Sequence, residues 1–281
     1  MVQLIRRYSN SGADIVINPT SNSVTQTDWS PMVMVPGIYQ YNADKYDLSV
    51  EGLYGIINVG VDGGWRIIYQ SDISTLMQSI GWLIGYGRLD ESLTTAQQLA
   101  AMKGRKLSLR CGYVAILIKY ILDSKSIISR QCHLITAETP NNFDDGHVIT
   151  EIYINNDWQL FDLPFNRKFK QSGTSTIRNL DTYFNGSGDN EEVIICGSDC
   201  DLSGSGSYQF ATNVYYDMSI RTAAQRAIWT DRIYQIPGIL HTDGLVYFYM
   251  PSGTESRQSW VEALSTQYRV VSYAAWLSMF Y

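Results

Sequence analysis

The chain has 281 residues, 45% hydrophobic and 17% charged, which is enough apolar material for one substantial core or two small ones and too much for a disordered chain. Its net charge of -6 arises from 21 Lys and Arg against 27 Asp and Glu, with no basic run, so neither a nucleic acid nor an anionic membrane is an expected partner. Twenty tyrosines and seven tryptophans beside abundant Ser, Asn and Gly suit half-buried rings on β-strands better than a dedicated glycan surface.

Met1 to Asn10 hold two arginines without an apolar stretch behind them. No segment reaches the ~18 apolar residues of a membrane-spanning helix, so a cytoplasmic or virion-associated location is expected. Residues 1 to about 70 alternate short apolar and polar runs, such as Ala13 to Ile17 and Tyr54 to Val59, punctuated by Asn18-Pro19, Pro36-Gly37 and Asp62-Gly63-Gly64. That pattern predicts a strand-rich section. Asp72 to Tyr86 carries Ile73, Leu76, Met77, Ile80, Leu83 and Ile84 at helical spacing, and Ser92 to Met102 predicts a second helix capped by Thr94 or Thr95.

Leu109 to Asp123 is apolar nearly all round, as expected of a helix enclosed on most sides. Three strands are predicted after it, Ser129 to Thr136, His147 to Ile154 and Trp158 to Leu163. The last two are joined by the hairpin signal Asn155-Asn156-Asp157. From about Lys170 through Ser207 the Ser, Gly and Asn content predicts a long irregular excursion. A helix near Ser219 to Arg232, a strand Leu245 to Met250, a helix near Glu255 to Leu264 and a strand Tyr268 to Tyr273 complete the chain.

The four cysteines, at 111, 132, 196 and 200, are too few and scattered for a disulfide scaffold. Cys111 stands where a loop enters the apolar helix, so helix N–H groups and the dipole favour thiolate over a thiol of ordinary pKa ~8.5. Of the three histidines, only His147 begins a strand directly after a turn-like Asp144-Asp145-Gly146. Asp162 joins them by register. A loop of Asn155-Asn156 sets it opposite residue 149, and a loop of Asn156-Asp157 sets it opposite 151. Either places it on the face of His147, whereas a three-residue loop without a bulge places it on the other. A Cys-His-Asp triad is therefore allowed, with the carboxylate orienting the imidazole.

The order of Cys111 on its helix, Ile127-Ile128-Ser129-Arg130, Asp145 through Tyr153, and Trp158-Gln159-Leu160-Phe161-Asp162 resembles the catalytic core of the transglutaminase-like superfamily over residues 70 to 185. The resemblance implies an α+β fold with a papain-like core, a nucleophile helix packed on an antiparallel sheet. It also implies Cys111 as nucleophile, His147 as general base and Asp162 as orienting acid, acting without a cofactor on a protein, peptide or other amide-bearing substrate. By analogy with that family, Gln97 or Gln98 is a candidate side-chain donor to the oxyanion, beside the Cys111 N–H. The cross-linking enzymes of the superfamily carry Gly-Gln-Cys-Trp where this chain has Leu109-Arg110-Cys111-Gly112, so calcium-dependent cross-linking is not expected. The arginine-glycine-glycine run of arylamine acetyltransferases is absent too, leaving a likeness to the broad microbial set of proteases and amidases.

The expected organisation is a β-rich section over 1–70, the catalytic core over 71–185, and an α/β section over 186–281 that extends the same sheet or flanks it. The alternative to an enzyme is a catalytically idle member serving as a binding or assembly module. Cys132 and His133 are adjacent on a strand, point to opposite faces and read as structural, and His241 reads as a turn residue. Cys196 and Cys200 lack the histidines that would complete a zinc site. The loop from Asp199 opens like a calcium loop but has Phe210 where the closing glutamate belongs, so no metal is expected.

Overall fold

The computed structural model describes strand backbone within residues 2–68, residues 73, 77, 80, 81 and 84–101, residues 107–195 apart from 125 and 142–144, and residues 223–281. The chain divides into two compact units, Met1–Leu109 with Ile195–Tyr215, and Arg110–Ile194 with Tyr216–Tyr281. Among the described residues, no helix is long and apolar enough to cross a membrane. Among the described residues the architecture is α+β, with six α-helices of continuous described sequence and a mostly antiparallel eight-stranded sheet.

The first unit is strand-rich, as its turn punctuation predicts. Strands β1 (Val2–Arg6), β4 (Val33–Met34), β7 (Leu53–Asn58) and β8 (Trp65–Ile68) form a sheet in the order β4-β1-β7-β8. Strands β2 (Asp14–Asn18) and β3 (Ser23–Thr27), and β5 (Gly37–Tyr41) and β6 (Asp44–Leu48), form two antiparallel pairs. The helix expected over 72–86 needs correction at its end. Residues 73, 77, 80 and 81 are helical, but Ile84–Tyr86 is β9, paired in parallel with β10 (Leu107–Leu109). Pairing outweighs helical periodicity there, and Gly85 weakens the helix at that point. Helix α1 (Thr95–Ala101) is capped by Thr94, whose hydroxyl accepts the Gln97 N–H while Gln97 Oε1 accepts the Thr94 N–H in return.

The second unit is built on the large sheet. Strands β11 (Ser129–Ile135), β12 (Gly146–Ile154), β13 (Asp157–Asp162), β14 (Arg167–Gln171) and β15 (Asn190–Ile194) form a meander. Strands β16 (Ile236–Leu240), β17 (Val246–Phe248) and β18 (Tyr268–Val270) extend it from the β11 side, giving the order β15-β14-β13-β12-β11-β16-β17-β18. All pairs are antiparallel except β17 with β18. Helix α2 (Cys111–Asp123) packs against β11 and β12, burying Val114, Leu117, Ile118, Ile121 and Leu122. The helix is enclosed on most sides, and Ile116 and Tyr120, 46% and 48% exposed, mark the one face that is open.

The irregular excursion expected from Lys170 is also corrected. The described part contains β14, α3 (Leu180–Asn185) and β15. Polar composition misleads there because Asn179 and Thr182 form a reciprocal capping box that starts α3, turning loop residues into a helix signal. Beyond Ile195 the described chain resumes in α4 (Ala223–Ile233). Cys196, Cys200 and the loop from Asp199 to Phe210 lie outside the described residues.

A 3-10 turn, Glu255–Arg257, leads into α5 (Gln258–Leu264), whose Val261 joins Ile135, Ile236, Val246 and Phe248 in an apolar cluster. The last strand stops at Val270 rather than Tyr273, because Ser272 caps α6 (Tyr273–Phe280) by accepting the Ala275 N–H. Trp276 on α6 is fully buried, and its indole N–H donates to the Tyr247 carbonyl at 2.9 Å.

A buried ion pair ties these elements together. Glu151 lies opposite Arg130 across β12 and β11, and its Oε2 accepts Arg130 Nε at 2.8 Å. Its Oε1 accepts the Leu180 N–H at the start of α3 and the Tyr281 hydroxyl at 2.7 Å. The Arg130 guanidinium lies 3.9 Å over the Trp158 ring and donates to the Phe280 carbonyl.

Candidate active site

Helix α2 begins at Cys111 behind Arg110, an extended residue without a side-chain cap, and the first intrahelical bond runs from the Val114 N–H to the Arg110 carbonyl at 3.0 Å. The N–H groups that precede this bond have no carbonyl acceptor inside the helix, which gives the helix start a partial positive charge. Cys111 is a half-buried thiol, and a Cβ added at Gly112 would meet nothing within 4 Å. Space is therefore open beside Gly112, the residue that follows Cys111.

His147 enters from β12, where it pairs with Leu134, and is 2% exposed. The loop before it is pinned by Asp145, whose carboxylate accepts the Asn141 N–H and the Arg232 guanidinium at 2.9 Å. Between β12 and β13 the pairing Ile154↔Asp157 leaves a two-residue loop of Asn155 and Asn156, with φ of 52° and 65°. Thr150 pairs with Phe161, so Asp162 follows next to Ile149, the first of the two registers left open by the sequence. Residues 147, 149 and 162 then share a face.

On that face the Asp162 Oδ1 meets His147 Nε2 at 2.8 Å, with both side chains almost completely buried. With Nε2 committed to Asp162, Nδ1 is the ring nitrogen left for a thiol. It has no partner within strict hydrogen-bond geometry, yet the Cys111 side chain lies near enough to favour the protonated form of the ring, after the larger effect of Asp162. A contact outside ideal geometry still couples two charges, and such contacts commonly tighten around a substrate.

The electrostatics follow from this packing. Burial alone opposes charge on the His147 ring, but Asp162 beside it overrides burial and, with Cys111, raises it from 6.5 to about 9. Burial likewise opposes ionisation of Asp162, but His147, Arg167 and the hydrogen bond from Tyr234 hold the carboxyl down at about 2. The ring is also stacked on Phe165, with centroids 4.3 Å apart and planes 14° apart.

Sequence reasoning missed the residues behind Asp162. Its Oδ2 accepts Arg167 Nε at 2.9 Å and the Tyr234 hydroxyl at 2.6 Å. Arg167 lies directly opposite Asp162 in the β13–β14 hairpin, whose turn contains Pro164 and the left-handed Asn166. That turn signal with opposite charges at its two ends was available to find it. Tyr234 follows α4, far along the chain, and carries no local signal.

Gln97 and Gln98 belong to the first unit, where their amides have local roles. Gln97 serves the α1 cap, and the buried Gln98 donates to the Asp90 carbonyl at 3.0 Å. Cys132 is buried, and its thiol is held well above its ordinary value by desolvation and by Glu151. Burial lowers His133 to about 4, and its Nδ1 lies 3.4 Å from the Tyr268 hydroxyl. Burial raises the Tyr268 phenol, and Cys111 raises it further. His241 sits in the β16–β17 turn, its N–H bonded to the Leu245 carbonyl. Among the described residues there is no cluster of His, Cys, Asp or Glu that could hold a metal ion. Comparison of the chain with family models, with curated proteins and with solved structures finds no match.

Proposed function

We propose that the chain is a cysteine-dependent hydrolase or acyltransferase of the transglutaminase-like kind, acting on a peptide or amide carbonyl through Cys111, His147 and Asp162. The observation that carries this reading is the buried His147 ring, bonded through Nε2 to Asp162 at 2.8 Å and coupled on its other side to the half-buried thiol of Cys111. On this reading the strand pair β12–β13 and helix α2 are the papain-like core, and the open surface beside Gly112 admits the substrate.

In the first step the Cys111 sulfur, its proton held by His147, attacks the carbonyl carbon. The C=O π pair moves onto oxygen, where the Cys111 N–H is the candidate donor for the developing charge. The tetrahedral species collapses as the C–N bond breaks, and His147 gives its proton to the leaving amine, which leaves a thioester on Cys111. Water or a second amine then loses a proton to His147 and attacks the thioester, releasing product and restoring the thiol. Asp162 keeps the ring in one tautomer and stabilises its charged form.

An aryl ester such as p-nitrophenyl acetate tests the nucleophile directly. A burst of nitrophenolate with an acetyl adduct on Cys111 is expected for the native chain, and its loss in Cys111→Ala and in His147→Ala. A burst of native size in either variant rules the reading out.

A further inference from the structure

The carboxylate of Asp162 is divided between two sets of partners. Oδ1 faces His147 Nε2 and the Phe165 N–H, while Oδ2 is held by Arg167 and Tyr234. Arg167 is itself 1% exposed and is held in turn by the Thr230 hydroxyl at 2.7 Å and by Glu192 at 3.3 Å. Arg226 Nε donates to Glu192 Oε1 at 2.8 Å and balances it. Phe165, Phe169 and Tyr234 surround the Arg167 guanidinium with their rings at 5.0–5.1 Å. Such a clamp prevents the carboxylate from turning.

It also divides the negative charge. A hydrogen-bond donor and a guanidinium on Oδ2 draw electron density from the oxygen that faces the imidazole, so the ring feels less than a full carboxylate. A base that must later act as an acid works best when it does not hold its proton too tightly. We propose that Arg167 and Tyr234 are positioning residues of this site: by occupying Oδ2 of Asp162 they fix Oδ1 on His147 Nε2 and moderate how far the carboxylate stabilises the imidazolium, so that the proton on Nδ1 passes to the leaving amine. In that step the ring N–H bond breaks as the amine N–H bond forms and the C–N bond opens. This last step rests on the acyl-transfer reading; the clamp itself does not.

The groups that bear on the pair come from every neighbouring element. Cys111 from α2 favours the charged ring, and Arg167 from β14 is a cation bonded to the same carboxylate, so by Coulomb's law it acts against a second positive charge there. Tyr183 from α3 is kept protonated, at about 12, mainly by burial. Glu192 from β15 and Arg226 from α4 offset one another, and Asp231 from α4 acts at longer range through Tyr183.

The test is the titration of the His147 ring, followed by NMR of histidine side chains. The chain has only three histidines, and His147→Gln assigns the signal. In Tyr234→Phe, which removes one hydroxyl and leaves the ring, the midpoint is expected to rise by about 0.5 pH unit or more. Arg167→Gln should raise it further where the variant folds. A residue that merely supported the fold would loosen Oδ1 when removed and lower the midpoint. An unchanged or lowered midpoint in Tyr234→Phe overturns the proposal. A raised midpoint in a chain that shows no nitrophenolate burst supports the clamp and retires acyl transfer alone.

Discussion

Asp162 reaches the His147 ring at 2.8 Å across a hairpin whose register is set by two left-handed asparagines, Asn155 and Asn156. Both have φ above 50°, the geometry of a two-residue turn that keeps the twist of its flanking strands. A one-residue slip would turn Asp162 to the opposite face. Asn155→Val places a β-branched residue in that region and should cost about 1–2 kcal/mol. Asn156→Gly should be neutral or slightly stabilising. Urea denaturation of both variants measures this, and equal stability of Asn155→Val and the native chain would show that the turn does not hold the register.

Gly112 follows Cys111 and faces open space. A large side chain there should leave the fold within about 1 kcal/mol of native, since nothing is displaced. Gly112→Phe is expected to keep alkylation of Cys111 by iodoacetamide while lowering acylation by a bulky aryl ester about tenfold, through misplacement of the substrate. Equal loss with both reagents would mean that the sulfur itself, rather than the approach to it, had been disturbed.

How far the site was legible depends on how local its causes are. The shared face of His147 and Asp162 follows from the two-residue period of strands and the asparagine turn, and Cys111 at a helix start follows from an apolar run behind a polar break. Arg167 lay within reach, opposite Asp162 across a turn with Pro164, but the polar composition after Lys170 hid the strand that carries it. Tyr234 and Tyr281 were not legible, because the bonds that place them span 72 and 130 residues. Strand β16 was hidden by Pro237 and Gly238, residues that argue against a strand interior. Gly238 is required there, since a Cβ would lie 2.5 Å from the Phe248 ring. Helix α6 was masked by β-favouring aromatics, and its start depends on the Ser272 cap.

Glu151 is fully buried and serves three elements at once, Arg130 on β11, the first turn of α3 and the ring of Tyr281. Removing its charge leaves the Arg130 guanidinium buried beneath Trp158 with its main counter-charge gone. Glu151→Ala should therefore cost on the order of 3–5 kcal/mol, the usual result of breaking a buried pair from one side. Replacing both members, Arg130→Met with Glu151→Leu, should recover much of that loss, and a double variant as unstable as Glu151→Ala would show that the hydrogen bonds to α3 and Tyr281 matter more than the charge.

The coupled titration of His147 and Asp162 predicts a particular shape of stability against pH. His147 is raised from 6.5 to about 9, so its contribution is complete below about pH 6.5 and is lost as pH rises through about 9. Asp162 is lowered from 3.8 to about 2, so its contribution is complete above about pH 4 and is lost as pH falls through about 2. The pair therefore contributes most between about pH 4 and 6.5. His147 and Asp162 share one interaction, in which a tenfold change in proton affinity corresponds to about 1.4 kcal/mol, so the effect is a few kcal/mol in total. Urea midpoints measured from pH 4 to 9.5 should fall on the alkaline side in the native chain. His147→Gln should flatten that limb while starting from lower stability, and Cys111→Ala should flatten it in part, because Cys111 also favours the charged ring. An alkaline slope that survives unchanged in His147→Gln would mean that other groups carry it and that the ring is neutral in the folded chain.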